Sequence, residues 1–175
     1  MLASSPFSLL FGMHTAPLNI ILYQPEIPPN TGNIARLCAC TGCHLHLIHP
    51  LGFEISDRTL RRAGLDYWKY LQLTEHACWQ DFLKSGCIGG TMHAFTTRGQ
   101  QLLWDCRFEP GDALLFGPES RGLPEEILDS TTNVRLPMRP DAPVRSLNLS
   151  SACAVAVYEA FRQWRHDPLF PSILS

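Results

Sequence analysis

At 175 residues the chain has the length of one ordinary domain, enough to bury about 70% of the surface that its unfolded form exposes. A composition of 45% hydrophobic and 17% charged residues speaks against a disordered chain, and no stretch is long and apolar enough to span a bilayer. With 14 basic against 16 acidic side chains the global positive charge of a nucleic-acid binder is missing, so any RNA partner needs a local basic patch.

The first 17 residues carry one short apolar patch, Phe7, Leu9, Leu10 and Phe11, without the basic run that opens a secretory leader. They read as a disordered extension, or as a start placed ahead of Met13, before a fold that begins at Leu18. Strand-type runs follow at 18–23, 45–48, 70–73, 92–95, 113–116 and 133–136, with helical segments at 31–40, 57–63, 77–84, 124–128 and 149–164. Strands separated by crossover helices predict an α/β fold, a parallel sheet with helices on both faces. Residues 18–164 read as a single domain and 165–175 as a tail. The last helix is apolar around most of its circumference from Ala152 to Val157, which suits a core helix or a subunit interface equally. Seven cysteines, an odd number without regular spacing, point to a reducing, cytoplasmic setting rather than a disulfide scaffold.

Three segments set compact polar residues or glycines beside apolar runs, as strand ends must where they meet a ligand. The first is Asn30-Thr31-Gly32-Asn33-Ile34-Ala35-Arg36, entered through the stiff Gln24-Pro25-Glu26-Ile27-Pro28-Pro29. Asn30 or Thr31 is expected to cap the helix, with Arg36 two turns on and pointing to a roughly similar side, within reach of a ligand at the strand end. An N-cap followed by a solvated arginine is the competing reading. The second is Phe116-Gly117-Pro118-Glu119-Ser120-Arg121-Gly122-Leu123-Pro124, where Gly117 and Gly122 permit close backbone approach and no phosphate-loop lysine follows. A tight turn with a surface ion pair would also explain it. The third runs from Val134-Arg135-Leu136-Pro137-Met138 through Pro140, Asp141 and Pro143 to Arg145-Ser146-Leu147-Asn148-Leu149-Ser150, where Ser146 and Asn148 can cap the last helix.

Basic residues cluster at Arg58, Arg61, Arg62 and Lys69 around Tyr67 and Trp68, a pattern that suits a phosphate backbone with unstacked bases or, equally, a solvated amphipathic helix. Cys38, Cys40 and Cys43 followed by His44, His46 and His49 invite a zinc reading. Cys38 and Cys40 stand about 200° apart on a helix, however, and no metal is expected.

In this order and spacing the segments resemble the SPOUT superfamily of RNA methyltransferases, specifically the small bacterial enzymes that 2′-O-methylate the wobble nucleotide of tRNA. The likeness spans Leu18 to about Trp164 and includes Tyr23 to Asn33, Leu60 to Tyr67, Phe116 to Glu119 and Tyr158-Glu159-Ala160. It implies a C-terminal deep trefoil knot, a homodimer with the last helix at its interface, and the tRNA anticodon stem-loop as partner. S-adenosyl-L-methionine would be held near Phe95, Thr96, Gly117, Leu136, Met138, Ser146, Leu147 and Ser150. The resemblance implies that Arg36 acts at the ribose 2′-hydroxyl, oriented by Asn30, Glu119 and Asn148. Arg61, Arg62, Lys69 and Arg121 are its candidate RNA contacts. Two departures fall at the expected cofactor loop: Ser151 where the family usually has Asn, and a stretch at 140–145 about two residues longer.

Overall fold

The computed structural model describes residues 16–54 and 68–166. The helix expected at 57–63, Arg58, Arg61 and Arg62 lie outside them, as do residues 1–15 and 167–175 of the expected extension and tail.

Strands β1 (Asn19–Tyr23), β2 (His44–Ile48), β3 (Gln72–His76), β4 (Met92–Phe95), β5 (Gln101–Leu102), β6 (Ala113–Phe116) and β7 (Thr132–Arg135) form one sheet in the order β3-β2-β1-β6-β4-β7-β5. Every pairing is parallel. From β1 the chain builds outward to β3 on one side and then fills the other, so the direction of winding reverses between β1 and β6. That is where an open α/β sheet leaves a crevice at its carboxyl edge.

Among the described residues four helices cover the sheet: α1 (Pro28–Thr41), α2 (Trp79–Ser85), α3 (Glu125–Leu128) and α4 (Leu149–Trp164). Alternation along the strands divides the core in two. Leu18, Ile20 and Leu22 pack with Leu114 and Phe116 against Ile34, Ala35 and Cys38 of α1 and Cys153, Ala156 and Val157 of α4. On the other face Ile21, Ala94 and Leu115 pack against Phe82 of α2 and Ile127 and Leu128 of α3. Helices on both faces, as expected, follow from strands that are apolar on both sides.

Several boundaries shift by one to three residues, and three differences from expectation have a local cause. Helix α1 begins at Pro28, with Ile27 at its N-cap and no side-chain cap bond. The two prolines fit its first turn, where a missing N–H costs no hydrogen bond. The expected capping role of Asn30 or Thr31 is therefore corrected: both are buried inside the helix. The strand expected at 70–73 starts at Gln72, because Trp68–Tyr70 forms a 3-10 turn. The two-residue β5 was not expected, being too short to show a period.

Candidate active site

The segments that leave the carboxyl ends of β1, β4, β6 and β7 converge around a cleft of about 590 Å³. Its lining includes Phe95 and Thr96 from the end of β4, Phe116 to Leu123 from β6, Leu136 and Met138 after β7, and Arg145 to Asn148 ahead of α4 with Leu149 at its start. The Phe95 and Phe116 rings stack at 4.8 Å, forming an apolar side of the cleft. Gly117 is there because a side chain is not tolerated: a Cβ would stand 2.6 Å from the Gly122 carbonyl carbon and the Leu123 nitrogen. Gly122 itself is left-handed at φ 73°, and its N–H closes the turn onto the Pro118 carbonyl at 2.9 Å.

Hydrogen bonds tie three distant segments together at one wall. Asn148 Nδ2 donates to Asn30 Oδ1 (2.8 Å), and Asn30 Nδ2 donates to Glu119 Oε1 (2.8 Å). The other Glu119 oxygen accepts from the Glu26 backbone N–H (2.9 Å). Asn148 Oδ1 also caps α4, accepting from the N–H groups of Ser150 (2.9 Å) and Ser151 (3.4 Å) and from Ser150 Oγ (2.8 Å). One asparagine thus starts the last helix and orients Asn30.

A second set of bonds holds the Gly117–Gly122 turn. The Glu26 carboxylate accepts from Ser120 Oγ (2.8 Å), the Ser120 N–H (2.9 Å) and Arg121 Nη1 (2.7 Å), while Arg121 Nη2 donates to Gln24 Oε1 (2.6 Å). The Ser120 hydroxyl and amide, with the Arg121 guanidinium, hold the Glu26 carboxyl below its usual value against the opposing effect of burial. Gln24 sits at φ 49°, a left-handed conformation unusual for a residue with a side chain.

Asn30, Glu119, Asn148 and Arg121 all border the cleft, as do Phe95, Thr96, Gly117, Leu136, Met138, Ser146 and Leu147. Ser150 does not. Its hydroxyl is turned to Asn148, and Asn33 Nδ2 lies 3.5 Å from it. Arg36 is exposed on the outer face of α1 with Asn33 and Cys40 and is not in the cleft lining. Six residues of helix turn through about 600°, which sets Arg36 about 120° round from Asn30, so the expectation of similar sides is corrected. Lys69 is exposed beside Tyr70, its Nζ 4.8 Å from the ring centroid and away from the cleft lining.

Sequence reasoning missed Glu26, Arg98 and Arg145 as site residues. Glu26 meets Ser120 across 94 positions, a pairing that no local pattern signals. Arg98 sits at the rim, paired with Glu125 at 2.6 Å, and Arg145 lines the cleft in an exposed position.

A family model for the SpoU rRNA methylases matches residues 17–158. The chain belongs to the SpoU rRNA methylase family. Within that family it is 54% identical over 149 residues to a tRNA (cytidine(34)-2'-O)-methyltransferase of Burkholderia cenocepacia, covering 83% of this chain and 94% of the relative. It is 51% identical over 149 residues to the protein of the same name from Escherichia coli K12, covering 83% and 93%. A solved structure described as giving insights into the 2-OH methylation of C/U34 on tRNA superposes with a TM-score of 0.79 at 52% identity, over 85% of this chain and 96% of that one. The SpoU methylase domain thus takes in the three segments singled out above, together with the strands that present them.

Proposed function

We propose that the protein 2′-O-methylates the ribose of the wobble nucleotide, position 34, of tRNA, with S-adenosyl-L-methionine as methyl donor. The observation that carries this reading is the junction of Asn30, Glu119 and Asn148 at the wall of the cleft, in a chain about half identical to relatives named for that reaction. Residues 18–164 make up the catalytic domain, and the segments at 117–124 and 136–148 are the crossings of a C-terminal trefoil knot.

The cleft fits the donor. Its volume is in the range of small-molecule sites, and it combines apolar side chains, Leu136, Met138 and Leu147, with the backbone of glycine-bearing turns. Phe95, Thr96, Gly117, Leu136, Met138, Ser146 and Leu147 would hold it, backbone groups taking the adenine and ribose. Ser150 acts one step back, through Asn148. Bound there, S-adenosyl-L-methionine supplies a methyl group on a sulfonium.

The protein's own part is alignment. Transfer would join the methyl carbon to the ribose 2′-oxygen as its bond to the sulfonium sulfur breaks, leaving a neutral thioether, and would release the hydroxyl proton, so the acceptor must be held in line and close. Asn30 and Glu119 offer polar atoms at the wall where the acceptor must enter. A guanidinium offers donors and no acceptor, so Arg36 positions rather than deprotonates. It steers the 2′-hydroxyl or a neighbouring phosphate, and a phosphate or water takes the proton. From the outer face of α1 it can do this only for an RNA laid across the α1/α4 face, which fits an RNA site shared by two protomers.

A homodimer suits the outer face of α4. Val155 is 39% and Tyr158 is 58% exposed there, whereas the small residues Cys153, Ala156 and Ala160 are spent on the protein's own core. Lys69 and Arg121 are candidate contacts to the anticodon stem-loop, with Arg61 and Arg62 beyond the described residues. Seven free thiols fit a cytoplasmic enzyme.

The test is transfer of labelled methyl to total tRNA by the wild type and by Arg36→Ala, with mapping of the modified nucleotide. Label on the ribose of nucleotide 34, reduced about 100-fold or more in the variant, is the expected result. Label in ribosomal RNA or at another tRNA position would overturn the wobble assignment. Cofactor binding without turnover on any RNA would overturn catalysis.

A further inference from the structure

On the face of the sheet opposite α1 and α4, His46 of β2 and His76 of β3 are diagonal neighbours, since His46 pairs with Thr74 and Ile48 with His76. Both rings are buried, and His46 Nδ1 lies 3.1 Å from His76 Nε2. Gly86, left-handed at φ 59°, ends α2 and opens the loop that brings Cys87 to them. One ring nitrogen of each histidine and the Cys87 sulfur all lie within 4.8 Å of one another.

We infer that His46, His76 and Cys87 form a binding site for a thiophilic divalent cation, with zinc as its ion. The ligand set is two imidazoles and one thiolate, the nitrogen and sulfur donors that zinc prefers, with a fourth position open to water. Tetrahedral zinc with its ordinary bond lengths sets nitrogens about 3.4 Å apart and a nitrogen and a sulfur about 3.6 Å apart. The ring nitrogens are already within a few tenths of an ångström of that spacing. Cys87 is exposed, so its side chain is free to rotate inward.

The surroundings prepare His46 for the role. Its Nε2 faces Asn19 Oδ1 at 3.3 Å, and Asn19 Nδ2 in turn donates to the Gly111 carbonyl at 3.0 Å. A carbonyl oxygen accepts only, so Nε2 carries the hydrogen and Nδ1 presents its lone pair toward His76. A ligating histidine oriented by a hydrogen bond from its other nitrogen is the usual support around a bound metal. Phe82 closes the apolar side, its ring 5.9 Å from that of His46 and 5.1 Å from that of His76. Without metal His76 Nε2–H donates to His46 Nδ1. On binding, His76 carries its single hydrogen on Nδ1 instead, and the Cys87 thiol gives one proton to solvent for each ion bound. These ligands replace the cysteine-rich set that the sequence suggested: Cys38 and Cys43 are buried in the core on the opposite face. The ion would tie the loop after α2 to strands β2 and β3, and none of its three ligands lines the cleft.

Cobalt(II) titration of the metal-free full-length protein, followed by absorption, reads this directly. One cobalt per chain, with a thiolate-to-metal charge-transfer band displaced by zinc, is expected. Cys87→Ser, at an exposed position that leaves the core intact, should abolish that band and weaken binding at least about 100-fold. Cys40→Ser, an exposed thiol on α1, should change neither. Zinc should raise the melting temperature of the wild type and not of Cys87→Ser. Absence of one-to-one binding, or a charge-transfer band that survives in Cys87→Ser, would overturn the site.

Discussion

At the amino edge of the sheet Asp112, its side chain 4% exposed, accepts hydrogen bonds from the N–H groups of Thr91 (2.8 Å) and Glu109 (2.9 Å) and from His93 Nε2 (3.0 Å). At the carboxyl edge Glu119 accepts from Asn30 Nδ2 and the Glu26 N–H at 2.8 and 2.9 Å. The two carboxylates are bonded at similar lengths by similar donors. Their surroundings differ: Asp112 is closed over, to the point that a Cβ on Gly90 would meet its Oδ1 at 2.6 Å, while Glu119 borders the cleft. The first cluster locks the start of β6 to β4, and the second leaves polar atoms where a ligand can reach them. Hydrogen-bond geometry alone does not mark a functional site; the space beside it does.

The largest effect should come from the closed cluster. Asp112→Ala strands one buried and two part-buried donors at once, which costs about 3–5 kcal/mol. For a chain of this size that lowers the melting temperature by roughly 6–20 °C. Urea unfolding gives the first number and a thermal scan the second. Methyl transfer by the folded fraction, assayed well below the new midpoint, should stay within about twofold of wild type, because Asp112 lies at the opposite edge from the cleft. A selective loss of activity at unchanged stability would break the division between the two edges.

Much of this arrangement was legible in the chain. The strand expected at 113–116 and the helix expected at 149–164 match β6 and α4 residue for residue. In both cases the boundary has local chemistry: an all-apolar run stopped by Gly117, and a helix started by the Asn148 cap. The same local reading failed where the cause was distant. Asn30 has the right chemistry for a cap, yet the prolines move the helix start forward and Glu119, 89 positions away, takes its amide. Glu26 offered no signal, because its partners belong to the second segment and meet it only once β1 and β6 are paired. Arg36 was read by type and spacing, and helical phase sets it on the outer face instead.

A smaller effect, and a sharper one, separates the two duties of Asn148. Serine caps a helix about as well as asparagine but has no amide to donate to Asn30. Asn148→Ser should therefore change stability by less than about 0.5 kcal/mol while leaving Asn30 Oδ1 without its donor. Methyl transfer should fall about tenfold, in line with one neutral hydrogen bond lost from a positioning network. Parallel melting curves and initial rates decide it. A variant that loses stability and keeps its rate would make Asn148 a cap and nothing more.

The smallest effect contrasts Asp112 with Glu26 in acid. For Asp112 burial pushes the pKa up, but the bonds from His93, Glu109 and Thr91 outweigh it and hold the carboxyl below its ordinary 3.8. Glu26 is likewise held below its ordinary 4.5, by Ser120 first and then by Arg121. A folded pKa below the unfolded one contributes stability that is present above the unfolded value and is lost as pH falls through the folded one. Both groups should therefore weaken the fold only below about pH 4.5, each by no more than about 1.4 kcal/mol per pH unit. The Glu26 side chain is 27% exposed and its Arg121 partner 56%, so water screens that pair, whereas Asp112 and His93 are 4% and 5% exposed. Asp112→Asn should visibly flatten the fall in urea midpoint between pH 4 and pH 3. Glu26→Gln should alter that slope by less than about 0.5 kcal/mol per pH unit, since what it loosens is the turn beside the cleft and not the closed edge of the sheet. Equal flattening in both variants would mean that the carboxyl edge is as closed as the amino edge, and the contrast drawn from their surroundings would fail.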